Sequence, residues 1–194
     1  MLRPMERCEA MARSYLANVP RRSLLNSADR ESLLAFPETR DELIFHYTFS
    51  EQDLTVIKQR RGRHNRLGFA VQLCSLRYPG FPLPTDAEPP QALLSFVASQ
   101  LGLEPQLWSQ YAQRAETRRE HILELQTWLG LVPFGLKHFR QNVGSLADLA
   151  QQTDHGCVLM ESLLERLRQQ RLVLPPLDVL ERLCAEALTA GNRR

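Results

Sequence analysis

Apolar residues recur along the chain at intervals of three and four, the spacing that places them on one face of an α-helix. No segment shows the sustained alternation of apolar and polar residues that predicts a half-buried strand. The pattern therefore predicts an all-α fold. Helices are expected at residues 26–36, 39–47, 50–61, 65–78, 91–101, 117–129, 136–149, 156–170 and 177–188, with a shorter helix around 107–111.

Helix starts are marked by polar side chains that can accept the first unpaired backbone N–H groups. Single caps are expected from Ser50 and Asn65, and capping boxes from the pairs Thr39–Glu42 and Thr117–Glu120. The helix at 50–61 should end near Gly62, because glycine adopts a positive φ without a Cβ penalty. Residues 50–80 are thus predicted to form a helix, a turn and a second helix.

The stretch FPLPTDAEPP, residues 81–90, holds four prolines and separates two groups of predicted helices. Proline fixes φ and removes a backbone donor, so the stretch predicts an extended connector. We therefore expect two small helical subdomains with helix-turn-helix-like units, joined by this connector. The predicted boundaries are 1–20 for an N-terminal extension without an assigned role, 21–80 and 91–194 for the subdomains, and 81–90 for the connector.

Positive charge is concentrated in the predicted turn. The chain as a whole has 24 basic and 22 acidic residues, yet no acidic residue lies between Asp53 and Asp86. That interval contains Lys58, Arg60, Arg61, Arg63, Arg66 and Arg77, together with His64. Such a cluster favours a polyanionic partner, above all the phosphates of nucleic acid. The charge alone is equally typical of a solvated basic turn on an ordinary helical domain.

The same residues carry a resemblance to a known family. The central run comprises Asp53-Leu54, Ile57, Gln59-Arg60-Arg61-Gly62, Asn65 to Cys74, Leu76-Arg77 and Pro79-Gly80. Shorter matches are Arg21 to Leu25, Glu31, Leu33-Leu34, His46 to Phe49, Gln113-Arg114, Thr117 to His121 and Pro133-Phe134. Over roughly residues 20–194 the chain resembles the N-terminal region of the replicative transposases of the Tn-three family. The resemblance implies binding of the terminal inverted repeats of a transposon.

A helix-turn-helix docked on duplex DNA would divide the basic stretch into two roles. Asn65 and Gln72 have side chains suited to adenine, and Arg66 could reach guanine. Phosphate contacts are expected from Arg60, Arg61 and Arg63, with Lys58 and His64 beside them. A weaker second contact is expected further along the chain, from Arg118, Arg119, Lys137 and Arg140.

Two features leave alternatives open. Gly68 costs about 1 kcal/mol against Ala inside a helix, so it should serve a close approach, either to another helix or to a DNA strand. Trp108 and Tyr111 are more typical of a core than of a base-stacking platform. His121 and Glu124 share a helix face and are expected to be an ordinary surface pair.

No pattern in the sequence indicates catalysis, a cofactor or a metal site. The resemblance implies that the family's acidic metal-binding triad lies in a domain far downstream. Cys8, Cys74, Cys157 and Cys184 lack metal-ligand spacing, and reduced thiols are expected. No apolar run is long enough to span a bilayer, and no signal-peptide pattern is present. We therefore expect a non-catalytic DNA-binding protein of the bacterial cytoplasm, associated with the nucleoid when bound.

The alternative function is a transposase remnant that acts as a protein-interaction or regulatory module. Its partners would be a full-length transposase or a second copy of the chain. Exposed apolar faces on the last two helices would favour that alternative.

Overall fold

The computed structural model describes residues 24–84, 87–111, 113–153 and 155–193, so the predicted extension at 1–20 and Cys8 lie outside it. The described residues form α-helices and one 3₁₀ helix, without strands, and the all-α prediction is confirmed. The α-helices are α1 (Ser27–Leu33), α2 (Arg40–Tyr47), α3 (Glu51–Lys58), α4 (Arg63–Arg77), α5 (Gln91–Leu101), α6 (Ala115–Leu129), α7 (Leu136–Ala150), α8 (Gly156–Gln169) and α9 (Leu177–Gly191), and the 3₁₀ helix is Pro105–Gln110.

The chain divides into two compact units, named here for their order in the sequence. The central unit is Glu31–Pro133 with Arg166–Pro175. The flanking unit holds the described residues up to Arg30, then Phe134–Glu165 and the residues from Pro176. This division does not coincide with the predicted boundary at 81–90, because the helices before and after the Pro-rich stretch pack against each other in the central unit.

The core of the central unit is built around α4. Every residue from Leu67 to Leu76 is buried, and α4 contacts α2, α3, α5, α6 and the 3₁₀ helix. The Pro-rich stretch is held against this core by Gln72, whose side-chain amide accepts a hydrogen bond from the Leu83 N–H at 3.0 Å. Leu83 itself is buried. Residues 81–84, the described start of the stretch, are therefore packed onto α4.

A short extended segment closes the central unit. The Val132 N–H donates to the Arg171 carbonyl at 2.8 Å, and the Val173 N–H donates back to Val132 at 3.0 Å. One residue further on, the Leu174 N–H donates to the Gly80 carbonyl at 2.9 Å. The segment Arg166–Pro175 thus fixes the residues that follow α4 and α6.

The flanking unit rests on the pairing of α7 with α9. Its apolar side chains are buried at Leu146, Ala147, Leu159, Met160, Leu163, Leu180, Leu183, Cys184 and Ala187. Arg30 adds an ion pair with Glu181 through two hydrogen bonds of 2.8 Å each. Cys74 and Cys184 are buried free thiols, as the apolar pattern around them predicts.

Helix starts show which local predictions hold. Ser50 caps α3 in a capping box with Asp53, and the predicted Thr39–Glu42 box is present at α2. The predicted Thr117–Glu120 box is wrong, because α6 begins earlier, at Ala115, without a side-chain cap. The cap predicted at Asn65 is also wrong: α4 begins at Arg63 with Gly62 as its N-cap, and the Asn65 amide donates to the Arg61 carbonyl instead.

Two helix ends also differ from the sequence pattern. The first helix stops at Leu33, short of residue 36. Helix α3 stops at Lys58, whereas the sequence pattern predicts a helix that continues to residue 61. A turn therefore begins one residue before Arg60. The predicted ends at Gly102 and Gly130 are confirmed, since both glycines follow their helices in the left-handed conformation.

Candidate nucleic-acid interface

The basic turn, residues 58–66, joins α3 to α4 in the central unit. Gly62 has a φ of +82°, a conformation that L side chains rarely adopt. Side chains from the first turn of α4 then fix the loop backbone: the Asn65 amide donates to the Arg61 carbonyl and the Arg66 Nε donates to the Arg60 carbonyl, each at 3.0 Å. The backbone of the turn is therefore held by hydrogen bonds to two side chains of α4.

The N-terminus of α4 is unusually positive. Its first turn contains no acidic residue and its N-cap, Gly62, supplies no side-chain acceptor. A helix N-terminus already carries a partial positive charge and unpaired N–H groups. Arg63 and Arg66 add full charges at that same end, an arrangement that disfavours the isolated helix and favours a bound anion.

The cations of the basic turn differ in their partners. Lys58 and Arg61 are exposed, and no carboxylate in the described part of the chain pairs with either of them. Arg63 forms a 2.9 Å ion pair with Glu104, in which both side chains are more than half exposed. Such exposed pairs contribute about 0–1 kcal/mol, so a phosphate can replace the carboxylate. His64, Asn65 and Arg66 are half-buried.

Arg60 occupies a different environment. Its side chain is only 17% exposed, forms an ion pair with Glu124, and lies with its guanidinium carbon 4.8 Å from the centre of the Phe69 ring. A guanidinium over an aromatic face is stabilised by the ring quadrupole. The structure thus gives Arg60 a packing role at the edge of the core, beside the exposed part of the turn.

Gln72 lies away from any surface. The residue is fully buried and bonds to both backbone polar groups of Leu83. Gln72 is predicted from the sequence to read bases, but its side chain is not accessible to DNA. The reason is that the whole run from Leu67 to Leu76 forms the core. For the same reason α4 cannot lie along a DNA groove, since the part of it that reaches solvent is limited to its first turn and the partly exposed Arg77 at its end.

Gly68 makes its close approach inside the protein. A Cβ atom at this position would lie 2.0 Å from two atoms of the Tyr111 ring, far below van der Waals contact. The Tyr111 ring stacks on His121, with centroids 5.8 Å apart, and its hydroxyl lies 3.3 Å from His121 Nδ1. Burial, with the nearby Arg60, lowers the pKa of His121. The expectation that His121 is a surface residue is wrong, since Tyr111 and Phe69 enclose it.

The weaker second group of predicted residues is divided between the units. Arg118 and Arg119 lie on α6 of the central unit, where Arg118 is buried and Arg119 is exposed. Lys137 and Arg140 are exposed on α7 of the flanking unit. Within the central unit, α6 with Arg118 and Arg119 packs against α4, the helix that follows the basic turn.

Sequence reasoning missed a polar face on α3. Gln52, Thr55 and Gln59 are exposed and follow the spacing i, i+3, i+7, a signal that was present in the sequence. They line one side of a groove of about 400 Å³ whose other side carries Glu124 and Trp128. Trp128 is 44% exposed in this groove.

The described residues contain no cluster of three or more His, Cys, Asp or Glu side chains arranged for a metal ion. In that same part of the chain, every helix is too short or too polar to cross a lipid bilayer.

Comparison with known proteins places the chain in a family. The family model described as "Domain of unknown function (DUF4158)" matches residues 24–187. The chain is 56% identical over 176 residues to the transposase for transposon Tn3926 of Escherichia coli, and 53% identical over 176 residues to the transposase for transposon Tn501 of Pseudomonas aeruginosa. Both matches cover 91% of this chain and 18% of the relative.

A more distant relative shows similar coverage. The transposase for transposon Tn1546 of Enterococcus faecium is 32% identical over 173 residues, which is 89% of this chain and 18% of that protein. The chain thus spans less than a fifth of the length of these curated relatives. The chain belongs to the DUF4158 family, and its resemblance to the N-terminal region of Tn-three family transposases is confirmed.

Proposed function

We propose that this chain binds duplex DNA at transposon ends, recognising the terminal inverted repeats as part of a transposase. The observation that carries the proposal is the basic turn. Lys58, the last residue of α3, and Arg61, in the turn that follows, are exposed beside an α4 N-terminus that lacks acidic residues. Cations on a fixed backbone, next to the positive end of a helix, are suited to DNA phosphates.

The proposal assigns DNA recognition, and not DNA cleavage, to this chain. The family resemblance implies a downstream domain for the acidic catalytic residues. A protein with this role acts in the bacterial cytoplasm, at the nucleoid. The flanking unit would add a second contact through Lys137 and Arg140, which are exposed on the first turns of α7.

The protein-interaction alternative depended on exposed apolar faces of the last two helices. The apolar side chains of α8 and α9 are mostly buried, among them Leu159, Leu163, Leu180 and Leu183. Val158 on α8 is exposed, but one side chain does not form the apolar face that would favour the alternative over DNA binding.

The test is a salt-series titration of the protein against two duplexes of equal length, one carrying the terminal inverted repeat and one a scrambled sequence. We expect binding to the repeat to be tighter, by the 10³-fold or more that is typical of specific DNA-binding proteins. Equal binding to both duplexes would contradict recognition of the repeats. Binding to neither would contradict the proposal entirely.

The basic turn is tested in the same titration with Lys58→Ala and Arg61→Ala. Each change removes one phosphate contact, so each should weaken binding to both duplexes and lower the salt slope by about one. Arg40→Ala is the matched control, because Arg40 is an exposed arginine of the central unit outside the turn. An unchanged slope in both turn variants would show that DNA binds elsewhere.

A further inference from the structure

The accessible polar face beside the basic turn belongs to α3. Its buried residues are Asp53, Val56 and Ile57. Its exposed residues form a continuous stripe of Glu51, Gln52, Thr55, Lys58 and Gln59. Helix α4 has no comparable face, since its ten residues after the first turn are all buried.

The stripe has the chemistry of base recognition. A glutamine amide can both donate to and accept from the major-groove edge of adenine, and a threonine hydroxyl can pair with several bases. Gln52 has no hydrogen-bond partner among the described residues, whereas the Gln59 amide oxygen accepts only a weak 3.3 Å bond from Arg60. Both amides are therefore available to a ligand.

The dimensions of α3 agree with the major groove. An α-helix with its side chains is about 10–12 Å in diameter, and the major groove is about 12 Å wide, so the groove admits α3 lengthwise. Gln52 and Gln59 are seven residues apart, or about 10.5 Å along the helix axis. Because base pairs stack about 3.4 Å apart, the two amides would reach bases separated by about three steps.

Charge sets the direction of approach. Lys58 and Arg61 lie at the C-terminal end of α3, and Glu51 lies at its start. DNA phosphates are attracted to the first end and repelled from the second. The groove of about 400 Å³ adds an apolar wall, because Trp128 faces the stripe and can contact the methyl group of a thymine paired with a recognised adenine. Glu124, on the same wall, is neutralised by Arg60.

From these observations we infer that α3 is the base-reading helix of this protein. Gln52, Thr55 and Gln59 contact A·T base pairs in the major groove, while Lys58 and Arg61 bind the flanking phosphates. The inference rests on the proposed function, and it reverses the usual order of a helix-turn-helix, in which the second helix reads the bases.

The experiment compares the wild-type protein with Gln52→Ala and Gln59→Ala on the inverted-repeat and scrambled duplexes. Each variant should reduce the ratio of the two affinities by about tenfold, the usual discrimination of one bidentate amide contact. The affinity for the scrambled duplex and the salt slope should stay unchanged. Gln106→Ala is the control, because Gln106 is an exposed glutamine on the 3₁₀ helix of the same unit. Circular dichroism confirms that each variant is folded.

A second measurement identifies the recognised base. Replacing single adenines of the repeat with 7-deaza-adenine removes the N7 acceptor that a glutamine uses. Wild-type protein should lose affinity at a few positions about three base pairs apart. Gln59→Ala should be insensitive at one of them, since its partner amide is absent. Sensitivity that is identical in the wild type and both variants would overturn the assignment.

The outcomes separate this inference from the proposed function. If the wild-type protein shows no preference for the repeat, both fail. If it prefers the repeat and the two glutamine variants keep the full preference while Asn65→Ala loses it, the proposed function stands and base reading belongs to the first turn of α4. An equal loss of affinity on both duplexes would also refute base reading by α3.

Discussion

Substitution of Gly68 by alanine tests the packing around α4 directly. The added Cβ would lie 2.0 Å from Cγ and Cδ2 of Tyr111 and 2.4 Å from its Cε2. Ordinary van der Waals contact begins near 3.4 Å. The tyrosine ring would therefore have to move by more than 1 Å, and it is confined by His121 on one face and by Trp108, whose ring centre is 5.3 Å away.

Two opposing effects decide how much Gly68→Ala changes the free energy of unfolding. Alanine in a helix interior is favoured over glycine by about 1 kcal/mol. Overpacking of a rigid core costs about 1–3 kcal/mol, and more when the obstructing group is an aromatic ring without space to move. The clash here is with ring atoms, so we expect Gly68→Ala to lower the free energy of unfolding by about 2 kcal/mol.

Urea denaturation followed by tryptophan fluorescence measures this change, because the protein has 2 tryptophans and both lie in the central unit. Gly144→Ala is the matched control. Gly144 is also inside a helix, but a Cβ there would meet no atom within 4 Å. Read by circular dichroism, that variant should be more stable than the wild type by up to about 1 kcal/mol.

The double variant Gly68→Ala with Tyr111→Ala isolates the clash. Without the ring, the alanine at position 68 should no longer be destabilising, so the double variant should be at least as stable as Tyr111→Ala alone. Full additivity of the two changes, or a Gly68→Ala protein as stable as the wild type, would refute the packing explanation.

Further predictions concern side chains at or near the basic turn. Arg60→Ala should lower the free energy of unfolding by about 1–3 kcal/mol in urea denaturation, because it removes packing on Phe69 and leaves Glu124 unpaired. Arg61→Ala should change the free energy of unfolding by less than about 0.5 kcal/mol. Gln72→Ala should cost about 1–3 kcal/mol by leaving two buried Leu83 groups unpaired, with the sequence preference of any folded protein unchanged in the DNA titration. The lowered pKa of His121 means that stability is full above about pH 6.5 and falls as the pH decreases below that value, by at most about 1.4 kcal/mol per pH unit; His121→Gln should flatten this part of the stability curve. Glu104→Gln releases Arg63 from its exposed pair and should strengthen binding to scrambled DNA with a steeper salt slope, whereas unaltered binding would show that Arg63 does not reach phosphate.

Several features follow from short-range sequence alone. Helical periodicity gave the correct element type along the described chain, since most of its helices bury apolar side chains on one face. The caps at Ser50 and Thr39 were predictable because the cap and its partner are three residues apart. The concentration of arginine and lysine in residues 58–66 is likewise a property of the sequence.

The same local reasoning failed at α6 and α4, where the sequence offers more than one residue at which the helix could begin. Thr117 and Glu120 have the spacing of a capping box, yet α6 begins at Ala115. Asn65 is a good cap by type, yet Gly62 with its positive φ begins α4 earlier. In both cases additional helical residues satisfy backbone hydrogen bonds, which outweighs one side-chain cap.

Only the tertiary structure decided which polar side chains are accessible. Arg60 and Arg61 are neighbours of the same type, but Arg60 packs between Phe69 and Glu124 while Arg61 faces solvent. Gln72 and Gln59 have the same side chain, but one anchors Leu83 in the core and the other lines an open groove. The sequence determines where the helices form, because helix formation depends on residues three or four positions apart. It also determines the charge of each helix, because charge follows from residue type. Burial depends on residues such as Leu83 and Glu124, which lie far away in the chain, so the division between core and surface arises only when the helices pack.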